Sequence, residues 1–331
     1  MTWVTWRQFR TQAIAGALAL AVAAAGLLVL GLRIRGDYDG SLAGCAAEGC
    51  APGLVSGFED RYATVVMLTD LALMTVPGLL GAFWGAPLIS GELAAGTHRL
   101  AWHQSVTRTR WLAVKLLVVG LAAVALTGLL DLLTAWSAHP YDTVRADRFS
   151  SLVFGARGVV PLSYAAFAFT LGAATGLLLR RPVAAMGLTL AVFAAVQFAV
   201  PTALRSDYLP PRTADVRLDA TTLGHADGIV LDGSSLAIGG ISLPDAWVVS
   251  AGHAVDPAGR PPDGEKLDAC LAPGRFDRTV RCLAQLDLHV AATYQPNTRY
   301  WPFQLIESAL YAAMAAALSG LCFVWIRRRT T

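Results

Sequence analysis

Between Ala13 and Leu32 the chain runs twenty residues without a charged side chain, and a stretch of that kind does not stay in water. A helix of that length reaches about 30 Å, which is the thickness of the hydrocarbon core of a bilayer. The same length test is met five times more, at residues 63–89, 112–136, 159–179, 182–203 and 303–326. Hydrocarbon offers backbone groups no partner, so the spans must satisfy their own N–H and C=O groups as helices. An all-α polytopic membrane protein with six transmembrane helices is therefore expected. Only 15% of residues are charged, against about 25% in a soluble domain, which excludes a soluble fold.

The first apolar run could instead be a signal peptide, since Leu42-Ala43-Gly44-Cys45 matches a lipoprotein cleavage pattern. Arg33, Arg35, Asp37 and Asp39 separate that cysteine from the apolar core, whereas cleavage sites follow the core closely. The run is read as a retained span, with residues 33–62 outside.

Charge sets the orientation. With the N-terminus inside, the inner segments hold Arg7, Arg10, Arg99, Arg108, Arg110, Lys115, Arg180, Arg181 and Arg327 to Arg329, against Glu92 alone. That asymmetry and an even span count place both termini on the cytoplasmic side. Arg180-Arg181-Pro182 leaves room only for a tight turn, so the fourth and fifth spans form a helical hairpin. Three regions result: 1–203 with five spans, an extracytoplasmic cap at 204–302, and 303–331 with the last span and a basic tail. The cap has short β-like runs in IVLDGSSLAIGGISLP, and residues 279–293 are ambiguous between helix and strand, so it is expected to be α/β-like.

The segment Ser90 to Lys115 is the one long polar interruption on its side. Ser90 can cap a short helix with Glu92 in its first turn, where a carboxylate meets the positive end of the macrodipole. Gly96-Thr97 loosens that helix, and Ser105 or Thr107 can start the next. At the N-terminus, Trp3, Trp6 and Phe9 share an arc at 100° per residue while Arg7 and Arg10 can snorkel, which describes a short interfacial helix or an ordinary anchor of the first span.

The order Glu92, Gly96-Thr97, Arg99-Leu100, Ser105-Val106-Thr107-Arg108 and Lys115 resembles the first intracellular loop of ABC-type exporter permeases of the type-2 class. The N-terminal TWRQFR, and YQPNTRYWPFQLIES before a last span ending in RRR, look like bacterial members of that family. The resemblance implies that the inner loop, with Glu92, Gly96, Thr97, His98, Arg99, Ser105 and Arg108, is a coupling helix resting on a separate cytoplasmic ABC ATPase subunit. It implies that Trp3, Trp6, Arg7, Phe9 and Arg10 belong to an elbow helix along the inner leaflet. ATP and Mg would be held by the partner, with no cofactor on this chain. The permease would pair with a second copy or a related permease in a bacterial plasma membrane, and would move a drug, antibiotic or lipid-like compound outward. A polytopic sensor or immunity scaffold that binds a ligand through residues 204–302 is the alternative.

Catalytic motifs are missing from the sequence: it has no GxxxxGK[ST] and no HExxH, so neither a Walker A ATPase nor a zincin is encoded. His98 and His103 are five apart and share a helical face poorly, which argues against a metal pair, and no metal site is expected. Arg327 to Arg329 follow a span directly and are explained by orientation and anionic lipid rather than by nucleic acid. Cys45, Cys50, Cys270 and Cys282 fall on the outer side, where disulfides persist. Local bridges Cys45–Cys50 and Cys270–Cys282 are expected, with a pairing between the first loop and the cap as the alternative and Cys322 free. Gly81-xxx-Gly85 and Gly172-xxx-Gly176 would let backbones approach within a packed bundle or dimer, and Pro77 should kink the second span. Asp70, Asp131 and Glu307 lie within spans and are candidates for the translocation route, set against interfacial anchoring eased by snorkelling or interhelical hydrogen bonding.

Overall fold

In the computed structural model, residues 2–45, 51–95, 107–224, 226, 228–232, 235–270 and 276–328 are described. They divide into two compact units, residues 1–205 with 301–331 and residues 206–300. Six helices are long and apolar enough to cross a membrane.

The first is α1 (Thr2–Ser41), followed by α2 (Pro52–Leu80), which runs through a π-helical turn at Gly81–Gly85 into α3 (Ala86–Ala95). After residues 96–107 come α4 (Arg108–Arg145), the five-residue α5 (Ser151–Gly155), α6 (Val160–Leu179) and α7 (Pro182–Ala203). The last span is α11 (Tyr300–Arg328). α1 has no break between Thr2 and Ser41. A separate elbow helix is therefore not seen as an element of its own, because no helix breaker interrupts residues 2–32 apart from permissive glycines. The side chains of residues 2–9 lie outside the described ones.

Forty residues of helix make about 60 Å, twice what hydrocarbon requires. The surplus of α1, α2 and α4 is not loose loop. Ile34, Leu42, Phe58, Tyr62, Ala138 and Tyr141 form a buried core joining the end of α1, the start of α2 and the end of α4. Asp37 accepts from Tyr62 at 2.7 Å and from Arg61 at 2.8 Å, so the polar residues of this extension tie it together sideways.

Pro77 lies inside α2, where its ring and missing N–H disturb the helical ladder, and the π turn follows four residues later. That turn offers Gly81 and Gly85 to α6. A Cβ on Gly172 would collide with the carbonyl oxygen of Gly81, one on Gly176 with that of Ala86, and one on Gly85 would lie 2.5 Å from that of Phe169. The two small-residue motifs thus serve each other within one chain, and α6 becomes the buried centre of the bundle. Its hairpin with α7 turns at Arg180, held in the left-handed region at φ 55°, and a Thr175–Thr189 hydrogen bond of 2.7 Å crosses the pair.

The second unit holds β1 (Arg212–Arg217), α8 (Ala220–Gly224), β2 (Gly228–Asp232), β3 (Ser235–Gly239), β4 (Ala246–Ala251), α9 (Gly264–Cys270), α10 (Phe276–Leu283) and β5 (His289–Pro296). β5 is the centre of an antiparallel sheet ordered β1-β5-β4, and β2 pairs with β3 as a hairpin. Residues 279–293, ambiguous in sequence, divide between α10 and β5. Leu218, Leu223, Leu236, Leu267, Leu283 and Val290 are the heart of its core, and Cys270 is bonded to Cys282 across a Cα separation of 5.3 Å. Cys322 is free and buried in α11. The pairing expected for Cys45 and Cys50 lies outside the described residues.

Candidate functional site

Polar side chains gather at two levels of the bundle. Along the continuous α2–α3 helix, Glu92 follows Asp70 by 22 residues, about 33 Å at helical rise, so the two levels lie at opposite ends.

At the first level the end of α2–α3 meets the start of α4. Ser90 does not cap a helix there, and Glu92 is not in a first turn. The helix continues through Ser90 to Ala95, and the Ser90 hydroxyl turns back to donate to the Ala86 carbonyl at 2.7 Å. Glu92 is therefore well inside α3 rather than at its start, where the macrodipole offers an acid little. The compensation is Lys115 of α4, whose ammonium pairs with the Glu92 carboxylate. Their side chains are only 4% and 15% exposed. The Lys115 ammonium also sits 4.8 Å above the ring of Trp111, which packs with Ile89, Leu112, Leu177 and Ile326. Thr107 caps α4, its hydroxyl accepting from the Arg110 backbone N–H, and Arg108 opens the helix half-buried. Gly96, Thr97, His98, Arg99 and Ser105 lie outside the described residues. Arg10 is exposed on α1.

The second level contains the three acids. Asp70, Asp131 and Glu307 are 1%, 4% and 0% exposed, so none of them snorkels to water. They are instead met by arginines that the span pattern does not mark. Arg157 donates to Asp70 at 2.6 Å and to Asp142 at 3.0 Å. Arg205 donates to both carboxylate oxygens of Glu307 at 2.9 Å, and the Tyr164 hydroxyl donates to the same group at 2.5 Å. Asp131 lies near the backbone of Gly158 and near Arg157. Buried charges persist only when paired and hydrogen-bonded, and both arginines are in that state. Gln304, one turn before Glu307, donates to the Phe154 carbonyl at 2.9 Å and accepts from the Val159 and Val160 N–H groups at 3.2 Å. Arg157, Arg205 and Gln304 went unnoticed in the sequence. The available signal was an arginine in the apolar FGARGVV and another directly after a span.

Beside this level, α1, α2 and α4 enclose an apolar groove of about 360 Å³ lined by Leu27, Leu30, Leu73, Val76 and Leu130. Among the described residues no three histidine, cysteine or carboxylate side chains are grouped to hold a metal ion.

Six long helices, a buried ion pair at the root of one polar loop and charged clusters at the other end define a multi-pass membrane protein. The family described as ABC-2 membrane transporter related matches residues 17–205, more than half of the chain. The chain belongs to that family and is a membrane subunit of an ABC-type transporter, a class that generally works with an ATPase subunit. No curated protein and no solved structure matches it.

Proposed function

We propose that the chain is the permease subunit of an exporter, dimeric in the plasma membrane, with both termini and the loop after α3 in the cytoplasm and residues 206–300 outside. The loop and the start of α4 carry Arg99, Arg108 and Arg110 toward a separate ATPase subunit that holds ATP and Mg. The observation that carries this reading is the buried Glu92–Lys115 pair. It ties the helix entering the loop to the helix leaving it, so a push on the loop is delivered to α3 and α4 together rather than absorbed by their ends. Coupling then needs two arrangements of the bundle that differ in affinity for the ATP-bound partner, since a partner shifts an equilibrium only by its differential binding. The apolar groove favours a substrate with a hydrocarbon portion, drug-like or lipid-like.

The test is to look for an ABC ATPase encoded beside the chain, co-express the two, purify the complex, and compare substrate-stimulated ATP hydrolysis with transport in proteoliposomes. Gly96→Pro, which stiffens the loop without touching the ion pair, should leave the complex assembled and uncouple hydrolysis from transport. Failure to co-purify any ATPase, with ligand binding retained by residues 206–300, would favour a sensor instead.

A further inference from the structure

The connection between α4 and α6 does not behave as a surface loop. Phe149, Phe154, Ala156 and Arg157 are all buried, so residues 147–159 turn back over the end of the bundle. Phe149 stacks on Phe154 at 5.9 Å and meets Phe303 edge-on at 5.4 Å, and the Arg205 guanidinium lies 4.2 Å over Phe154. What fastens this strap is polar and comes from three helices. α2 supplies Asp70 and α4 supplies Asp142, both to Arg157, while α11 supplies Gln304 to Phe154, Val159 and Val160. Gly158, at φ +81°, makes the final turn, and a Cβ there would sit 2.9 Å from the Gln304 carbonyl oxygen.

Beneath the strap the pairing is incomplete. Arg157 Nη2, Asp131 Oδ1 and Thr127 Oγ1 make no hydrogen bond among the described residues, although all three are buried. Arg157 and Asp131 are near enough to interact electrostatically. A donor without an acceptor thus sits near an acceptor without a donor, and buried groups left in that state call for an explanation. Two carboxylates hold the guanidinium through Nε and Nη1, and a third, that of Asp131, lies near it while Nη2 stays unused. We propose that residues 147–159 are a gate over this end of the bundle, latched by Arg157 between Asp70 and Asp142 and by Gln304, with Asp131 as the second seat to which Arg157 moves when the gate opens. The proposal rests on the transport reading: the gate lies at the end opposite the ATPase loop, where an exported substrate leaves. Exchange of a charged contact between two fixed partners is how packed elements take two discrete arrangements rather than a continuum.

The latch is tested without requiring transport. Thr127→Cys replaces a buried hydroxyl one helical turn deeper than Asp131. In proteoliposomes of the full chain, its reaction with an impermeant maleimide added outside is followed by peptide mass mapping, so that the native cysteines are scored separately. With the latch intact the cysteine should react slowly. Adding Arg157→Gln, or Gln304→Ala, which leaves the charges alone, should speed labelling at least about tenfold, the effect of roughly 1.4 kcal/mol on an opening equilibrium. Asp131→Asn should stay slow, because the second seat is gone. Cys322, buried at the far end, should stay unreactive throughout. Labelling unchanged in both latch variants would overturn the gate, and so would Cys322 becoming reactive in step with position 127. An opening strap in a protein that takes no ATPase partner would instead refute the transport reading and leave the latch standing.

Discussion

Replacing Glu92 by Gln removes one charge from a pair whose partner is almost wholly buried. As a helix cap the acid would be worth about 1 kcal/mol. As half of a buried ion pair it is worth more, because its loss strands an ammonium that is 4% exposed, and breaking such a pair costs about 3–5 kcal/mol. The Trp111 ring, 4.8 Å from that ammonium, returns part of this, about 0.5–2 kcal/mol, so the lower end of the range applies to Glu92→Gln. Lys115→Met breaks the same pair from the other side and should cost about 3–5 kcal/mol. Replacing both with apolar residues of similar size should restore stability to within about 1 kcal/mol of the parent, since uncharged substitutes avoid the desolvation of two ions. The assay is unfolding of the purified protein by SDS titration in mixed micelles for the parent, both single variants and the double variant. If the single losses simply add, to about 6–8 kcal/mol in the double variant, the two groups are not coupled and the loop has no clamp at its root.

Gly172→Ala should lower stability by about 1–3 kcal/mol or more through collision with the Gly81 backbone, whereas Gly128→Ala, whose Cβ would meet the Leu162 side chain at an ordinary contact distance of 3.7 Å, should be neutral or gain up to about 1 kcal/mol; equal effects in thermal melts would contradict the close helix crossing. Removing the Cys270–Cys282 bridge, which closes a separation of 12 residues, should cost the unit of residues 206–300 about 2–4 kcal/mol, read as earlier proteolysis within that unit, and unchanged cleavage would show the bridge to be dispensable. Asp219 caps α8, where hydrogen bonds from the Thr221 hydroxyl and then the Thr222 N–H hold its carboxyl down at about 2. A lowered carboxylate stabilises the fold above its unfolded value and loses that contribution as pH falls, so the gap in melting temperature between the parent and Asp219→Asn should close between about pH 4 and pH 2, and a constant gap would refute the assignment.

Much of this protein is written locally. Whether residues 13–32 can cross a bilayer depends on those residues alone, and the same holds for the other five spans, the tight turn at Arg180-Arg181-Pro182 and the turn-rich runs that became β2 and β3. The glycine motifs announced close approach as well, because a missing Cβ has one main use inside an apolar helix. What the sequence by itself could not give is which groups meet. Asp70 and Arg157 are 87 residues apart, and Glu307 and Arg205 are 102 apart. Each looked like a lone acid at the edge of a span or a lone base outside one, and their pairing exists only because α2, α4, α6 and α11 converge. Glu92 shows the limit most plainly. Its sequence neighbours, Ser90 before it and Gly96-Thr97 after it, are those of a helix start, and a local reading makes it a cap. Tertiary structure brings Lys115 to it from the next helix. The helix runs through Glu92 to Ala95, so the acid is met by that buried ammonium across the bundle rather than by the free N–H groups of a helix start.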